Sequence, residues 1–172
     1  MVFFKTSKLM KTTIKYVCPL LVVADIARAR NFYENILGQR VIMDFGENIT
    51  FEGNFALHLQ SHYQSLIDNK EVRFGSHSFE LYFECDEIEA LNQKLLEIKT
   101  TFVHEIREQP WRQQVVRFYD HDNHIIEIGE SMEHLSYRLF KEEKSVEEIC
   151  KITMLPFEFV KSNIENYASK QG

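Results

Sequence analysis

The chain has 172 residues, of which 44% are hydrophobic and 27% are charged, with a formal net charge of −6. This is globular composition, and the acidic balance argues against nucleic acid as the main partner, because phosphate binding depends on Lys and Arg. Three cysteines without paired spacing indicate a reducing cytoplasm, and no apolar run reaches the roughly 18 residues that would indicate a membrane span. Residues 1–13 contain too short an apolar stretch for a signal peptide, so we expect an N-terminal extension, with Met10 as an alternative start.

The first half of the chain predicts one strand, one helix and three further strands. Asp25 is placed to cap the helix, because a carboxylate there can accept from the free backbone N–H groups of the first turn. Gly38 stands where a helix ends in the left-handed conformation, and Gly53-Asn54 is typical of a tight turn. The expected strands span 14–23, 40–44, 49–52 and 55–60.

The same order of elements recurs after a polar linker at 62–75. Asp86 is expected to cap the second helix, and Asp120 to Asn123 form the turn before the last strand. Because each helix covers one face of its own sheet, we expect the two βαβββ modules at 14–130 to pair into one cupped mixed sheet, an α+β fold. The expected strands of the second module span 78–85, 101–106, 114–119 and 125–129.

Strand alternation assigns the side chains of each sheet to its two faces. In the strand at 55–60, Phe55 and Leu57 should face the helix, while His58 and Gln60 face the trough, the hollow expected between the two modules. The second module follows the same rule. Its predicted core residues are Phe79, Leu81, Phe83, Ile126 and Ile128, and its predicted trough residues are Ser78, Glu80, Tyr82, Glu84, Arg117 and Glu127.

Two parts of the chain carry a family resemblance. The chain reads VAD at 23–25 and NFYENILG at 31–38, which resembles the signature V-x-D … F-Y-x-x-x-L-G, and RFYDHDNHIIE at 117–127 resembles F-x-D-P-D-G-x-x-I-E. These are motifs of the vicinal oxygen chelate superfamily, which includes glyoxalase I, bleomycin- and fosfomycin-resistance proteins and extradiol dioxygenases. His121 replaces the Pro of the second motif and Asn123 its last Gly, and Asn tolerates the left-handed backbone that the Gly would adopt.

The resemblance implies a metal site with one ligand on the first and one on the last strand of each module. Spacing from the capping Asp and from the turn residue carries these positions to Cys18, His58, Glu80 and Glu127. One divalent Zn, Ni or Mn ion held there would act as a Lewis acid, with Glu127 or Glu80 as the catalytic base. The chain departs from the family set, which has His where Cys18 and Glu80 stand. No organic cofactor is predicted.

The predicted substrate-binding residues are Tyr82, Arg117, Trp111 and Gln60. Arg117 is expected either to pair with a trough carboxylate or to hold an anionic ligand with two hydrogen bonds. Tyr82 and Trp111 can stack on a ligand, but they can equally pack at a dimer interface. Single cysteines are usually small core residues, so Cys18 has that alternative, and His58 can simply hydrogen-bond a tyrosine.

The last segment, 131–172, predicts helices. Ser131 is placed to cap the first helix, and Ser145 with Glu148 forms a capping box. Pro156 suits the first turn of the last helix. The segment holds six Lys and Arg against seven Glu, which argues against DNA binding. We expect a helical extension docked on the sheet or on a second subunit, with a regulatory module as the alternative.

Two functions are compatible with these residues. The first is a cytoplasmic metalloenzyme of the glyoxalase type, a lyase or isomerase acting on a small carbonyl or vicinal-oxygen compound. The second is a metal-free binding protein of the bleomycin-resistance type, which sequesters an aromatic or cationic small molecule. A third possibility, a sensor with the tail as its output, rests on the helix pattern alone. The resemblance implies a homodimer in each case.

Overall fold

The computed structural model describes residues 13–171, which divide into two compact units, one ending at Lys70 and one starting at Glu71. Each unit contains a four-stranded mixed sheet with helices, so the predicted α+β class and the repeated βαβββ module are confirmed. The predicted extension at 1–13 lies almost entirely outside the described residues. Within them, no helix is long and apolar enough to cross a membrane.

The first unit has its strands in the order β1-β4-β3-β2, with β1 and β4 parallel and the other pairs antiparallel. Three of its strands are shorter than predicted, the strand predicted at 49–52 is displaced by one residue, and a helix occupies the start of the segment predicted as a linker at 62–75. The elements are β1 Leu20–Val23, α1 Ile26–Asn31 with a π-helical continuation Phe32–Ile36, β2 Val41–Asp44, β3 Asn48–Phe51, β4 Ala56–Leu59 and α2 Gln60–Leu66.

Local signals fix the helix of the first unit as predicted. Asp25 caps α1, since its Oδ1 accepts from Arg28 N at 3.0 Å, and Gly38 has a left-handed φ of 65° after the helix. On the helix side of β4, Phe55 and Leu57 are buried, and Tyr33 and Phe51 join Phe55 in an aromatic cluster. This core fixes the register of β4 and thereby turns His58 to the other face of the sheet.

The second unit repeats the strand order as β5-β8-β7-β6, again with its first and last strands parallel. Three further helices follow the sheet. The elements are β5 Glu80–Glu84, α3 Ile88–Glu97, β6 Phe102–Glu108, β7 Gln114–Tyr119, β8 Ile125–Gly129, α4 Met132–Lys141, α5 Val146–Thr153 and α6 Phe157–Gln171.

Two predictions for the second unit are wrong. Asp86 does not cap α3, because its Oδ1 instead accepts from Ser131 N at 2.9 Å, and the residue before α3 is Glu87, whose side chain makes no capping bond. Phe79 is not a core residue, because β5 begins only at Glu80 and Phe79 remains exposed before it.

The three C-terminal helices form where their sequence signals predict. Ser131 caps α4, Ser145 and Glu148 form the capping box of α5, and α6 begins directly after Pro156. Their apolar faces meet in a cluster of fully buried residues. These are Leu135, Leu139, Ile149 and Val160.

The turn before β8 supplies a test of the motif substitution. Asn123 has φ 62°, the left-handed conformation predicted for the position of the motif glycine. We expect Asn123→Ala to lower the free energy of unfolding by about 1 kcal/mol, because a Cβ without a locally bonding side chain disfavours this conformation. Asn123→Gly is the matched control and should leave stability unchanged or slightly higher in urea denaturation. Equal losses in both variants would show that the asparagine side chain, not the backbone conformation, matters there.

Candidate functional site

A line of polar side chains crosses the second sheet from edge to edge. The strand register places Tyr82 beside Glu127, Glu127 beside Arg117, and Arg117 beside His104. We call these four residues the polar row. The alternate residues of the inner strands, such as Ile126, are buried on the opposite face. Because successive side chains of a strand point to opposite faces, the register that buries the apolar residues also places these four polar residues side by side.

The guanidinium of Arg117 bridges two carboxylates. Its Nε donates to Glu80 Oε2 at 3.1 Å, and its Nη2 donates to Glu127 Oε2. The remaining nitrogen, Nη1, lies 3.4 Å from His104 Nε2. The predicted pairing of Arg117 with Glu80 or Glu127 is confirmed, and it involves both carboxylates at once. Burial raises the pKa of Glu127, and the neighbouring Glu80 raises it further, while Arg117 opposes both effects.

His58 lies on β4 of the first unit in a small cluster that sequence reasoning missed. Its Nε2 is 2.9 Å from His62 Nδ1, which in turn lies 3.8 Å from Glu47 Oε2. His58 is 7% exposed, and among the described residues its Nδ1 has no hydrogen-bond partner. Burial lowers the pKa of His58, with a further lowering from His62. The spacing of four residues between the two histidines was the available signal.

Spacing from the capping Asp made Cys18 the counterpart of Glu80 in the first module, but the strand register gives a different residue. Glu80 pairs with Ile125, two positions before Glu127, and Leu20 pairs with Ala56, two positions before His58. The counterpart of Glu80 in the first sheet is therefore Leu20. Cys18 precedes β1 and is half-buried. Its role as a metal ligand thus rests on sequence spacing alone and stays a prediction.

A second set of contacts joins Trp111 to Tyr82. The indole Nε1 of Trp111 donates to Gln113 Oε1 at 2.9 Å, and Gln113 Nε2 donates to the Tyr82 hydroxyl oxygen at 3.0 Å. The Tyr82 hydroxyl donates in turn to Glu84 Oε1 at 3.1 Å. Burial raises the pKa of Tyr82 to about 12, so the phenol stays protonated and remains a donor. Gln113, which links the two aromatic residues, was not among the predicted site residues.

This arrangement of two repeated sheets with a polar row can be compared with known proteins. A model of the glyoxalase-like domain matches residues 16–133. The chain belongs to this family. Its membership of the vicinal oxygen chelate superfamily, inferred from the motifs, is thereby confirmed. A comparison with functionally curated proteins finds no match.

Solved structures share the fold of this chain. A protein of unknown function from Agrobacterium tumefaciens is 34% identical, with a TM-score of 0.64, and the match covers 70% of this chain and 97% of that one. A glyoxalase/bleomycin resistance protein/dioxygenase from Nocardioides is 17% identical over 70% and 85% of the two chains, with a TM-score of 0.55. Lactoylglutathione lyase from Agrobacterium tumefaciens is 18% identical over 69% and 96%, with a TM-score of 0.53. The last two show the fold alone.

Members of the glyoxalase-like superfamily typically use a divalent metal, so the fit of such an ion to this chain can be tested. Within residues 13–171, no group of three or more His, Cys, Asp or Glu side chains is arranged to hold a metal ion. The predicted ligands Glu80 and Glu127 already share the guanidinium of Arg117. A second cation between them would meet a permanent positive charge, since the pKa of arginine is above about 12. The carboxylate pair of this glyoxalase-like domain does not fit a metal while Arg117 is in place.

Two hollows of this domain border β5. One, of about 290 Å³, is lined by Glu80 together with His77, Ser78, Phe79 and Ile125. The other, of about 470 Å³, lies between the end of β5 and the helices α4 and α6, and Glu84 forms part of its wall. Tyr82 is the residue between these two glutamates on the same face of β5. Gln60, predicted to bind substrate, belongs to the first unit, where it begins α2, so it does not continue the face of β4.

Proposed function

We propose that this glyoxalase-like protein is a small-molecule binding protein that captures an organic cation with an aromatic group and does so without a metal ion. The observation that carries the proposal is the double ion pair of Arg117 with Glu80 and Glu127. The fixed guanidinium supplies the positive charge that a metal would otherwise bring to these two carboxylates. A buried carboxylate requires such a partner, and Arg117 provides it permanently.

Charge and exposure select the class of ligand. On the face of the second sheet that holds the polar row, the register places the carboxylates of Glu80, Glu84 and Glu127 against the guanidinium groups of Arg117 and Arg107. This excess of negative charge favours a cation. Tyr82 is 47% exposed and Trp111 is 38% exposed, so both present aromatic surface to a ligand. Aromatic faces next to a carboxylate suit a planar organic cation, because stacking and cation–π attraction act together.

The rival function is the metalloenzyme of the glyoxalase type that uses Cys18, His58, Glu80 and Glu127. Its support in the structure is the buried His58 Nδ1, which lacks a partner among the described residues and would suit a ligand to a metal. One of the solved structures that share the fold is lactoylglutathione lyase. A homodimer and a cytoplasmic location accompany either function as predictions.

A matched pair of probes tests the ligand class. 1-Methylquinolinium is a planar aromatic cation, and quinoline is its uncharged counterpart at neutral pH. We expect the cation to bind about 2- to 30-fold more tightly, which corresponds to the range of cation–π energies. Because Trp111 is the only tryptophan in the chain, its fluorescence reports binding directly.

The variant Glu84→Gln tests whether the negative charge of this face causes the preference for the cation. It removes one carboxylate of the polar face and should reduce the preference for the cation while leaving quinoline binding unchanged. Equal affinities of the two probes in the unaltered protein would refute a cation site. Binding that appears only after addition of Zn, Ni or Mn would favour the metalloenzyme.

A further inference from the structure

A fully buried carboxylate connects the sheet to the appended helix α4. Glu130 follows β8 and is 0% exposed. Arg138 of α4 binds it with two hydrogen bonds, Nε to Oε2 at 3.1 Å and Nη2 to Oε1 at 2.6 Å. Gln114 N donates to the same carboxylate at 2.9 Å, and His134 Nδ1 lies 3.2 Å from it. This bidentate pair holds α4 against the end of β8.

The same arginine also holds the turn that carries the tryptophan. Arg138 Nη2 donates to the backbone carbonyl of Arg112 at 2.7 Å. Arg112 lies between Trp111 and Gln113 and has a left-handed φ of 72°, which an L residue adopts only when its surroundings hold it. One guanidinium thus binds both Glu130 and the turn at residues 111–113, and Glu142 at the end of α4 adds a second contact to that turn by accepting from Arg112 Nη2 at 3.2 Å.

Gln113 transmits this fixation to the aromatic residues. It is 3% exposed, and its Nε2 donates to Glu130 O at 2.8 Å as well as to Tyr82, while its Oε1 accepts from Trp111. Gly129 leaves the space for this amide, since a Cβ there would lie 2.6 Å from Gln113 Nε2. Because Gln113 donates to the Tyr82 oxygen, the Tyr82 proton must point to Glu84.

We propose that Arg138 and Gln113 are positioning residues, through which the C-terminal extension holds Tyr82 and Trp111 in their ligand-binding orientation. The extension therefore acts as a brace for the polar face and not as a separate regulatory module. The inference rests on the proposed function for what the two aromatic residues bind, but the hold on their side chains exists without any ligand.

The test combines a change of Gln113 with a change of Arg138. Gln113→Met keeps the size of the side chain and removes its donors and acceptor, and Gln114→Met is the same change one residue along, outside the link between Tyr82 and Trp111. Arg138→Lys keeps the charge but loses the paired geometry. Emission and acrylamide quenching of Trp111 are measured without ligand, on protein whose far-ultraviolet circular dichroism is unchanged, and 1-methylquinolinium affinity is measured separately.

We expect Gln113→Met and Arg138→Lys each to increase quenching of Trp111 and to weaken 1-methylquinolinium binding by about fivefold, the value of one lost hydrogen bond. Gln114→Met should change neither. In the Gln113→Met background, Arg138→Lys should add less than it does alone, because both residues hold the same turn. Independent, additive effects on quenching and affinity, or no effect of either variant on quenching, would overturn the inference. If the unaltered protein does not bind the probe, the proposed function fails, and the quenching result still decides the inference.

Discussion

Replacing Arg138 with Met is expected to lower the free energy of unfolding by about 3–5 kcal/mol, the cost of leaving a buried charge without its partner. Glu130 is fully buried, and Arg138 supplies two of its hydrogen bonds. Once the guanidinium is gone, the carboxylate keeps only Gln114 N and His134 as partners, so it must stay charged with too little compensation or take up a proton. Urea denaturation at neutral pH measures the loss directly.

The double variant Arg138→Met with Glu130→Gln is the control for this prediction. It removes the buried charge as well as its partner, so we expect it to be clearly more stable than Arg138→Met alone. A loss below about 1 kcal/mol in Arg138→Met would place the pair among ordinary surface ion pairs and contradict its assigned strength.

The same cluster makes stability depend on pH in a defined direction. His134 and Arg138 hold the pKa of Glu130 at about 2 against the pull of burial, well below its usual 4.5. The resulting stabilisation, about 3 kcal/mol, is complete above pH 4.5 and is lost as the pH falls towards 2. Glu130 also raises the pKa of His134, whose contribution is present below pH 6.5 and is lost as the pH rises through that raised value. The contribution of this cluster to stability should therefore be greatest between about pH 5 and 6, and Arg138→Met should weaken its acid-side loss.

The fold could be predicted from the sequence because local and global signals agree. The capping Asp25, the left-handed Gly38 and Asn123, and the alternation around Leu57 all point to the same repeated module. Asp86 shows the limit of such signals. It occupies the same motif position as Asp25, but Ser131 offers its backbone N–H from 45 residues away, and a tertiary partner of this kind leaves no local trace.

The candidate site was predictable only in part, for a similar reason. Alternation placed Tyr82, Arg117 and Glu127 on one face, and the register confirms that they are neighbours. Counting residues back from the capping Asp selected Cys18 as the equivalent of Glu80. Strand pairing instead makes Leu20 the equivalent position in the first sheet. Gln113 was not predicted at all, because a buried amide before a strand has no sequence signature. Glu130, His134 and Arg138 do recur at intervals of four, a spacing typical of side chains that meet along one helix face.

Replacing Arg117 with Met should have the second large effect. Glu127 has a side chain only 9% exposed, and Arg117 is its cationic partner. We expect a loss of about 2–3 kcal/mol in unfolding free energy, smaller than for Arg138 because this pair lies nearer to solvent. Arg107→Met, at an exposed position of the neighbouring β6, is the control and should change stability by less than about 0.5 kcal/mol. An equally small loss in Arg117→Met would mean that the carboxylates do not depend on the guanidinium.

The most direct measurement is the thermal stability and metal content of untagged protein with added Zn, Ni or Mn, for the unaltered chain and for Arg117→Met. If Arg117 takes the place of the metal between Glu80 and Glu127, the unaltered protein should contain less than one equivalent of metal and show no rise in melting temperature. Arg117→Met should then be stabilised by the added ion, which replaces the lost positive charge. One equivalent of tightly held metal in the unaltered protein, lost in Glu127→Gln, would contradict the account.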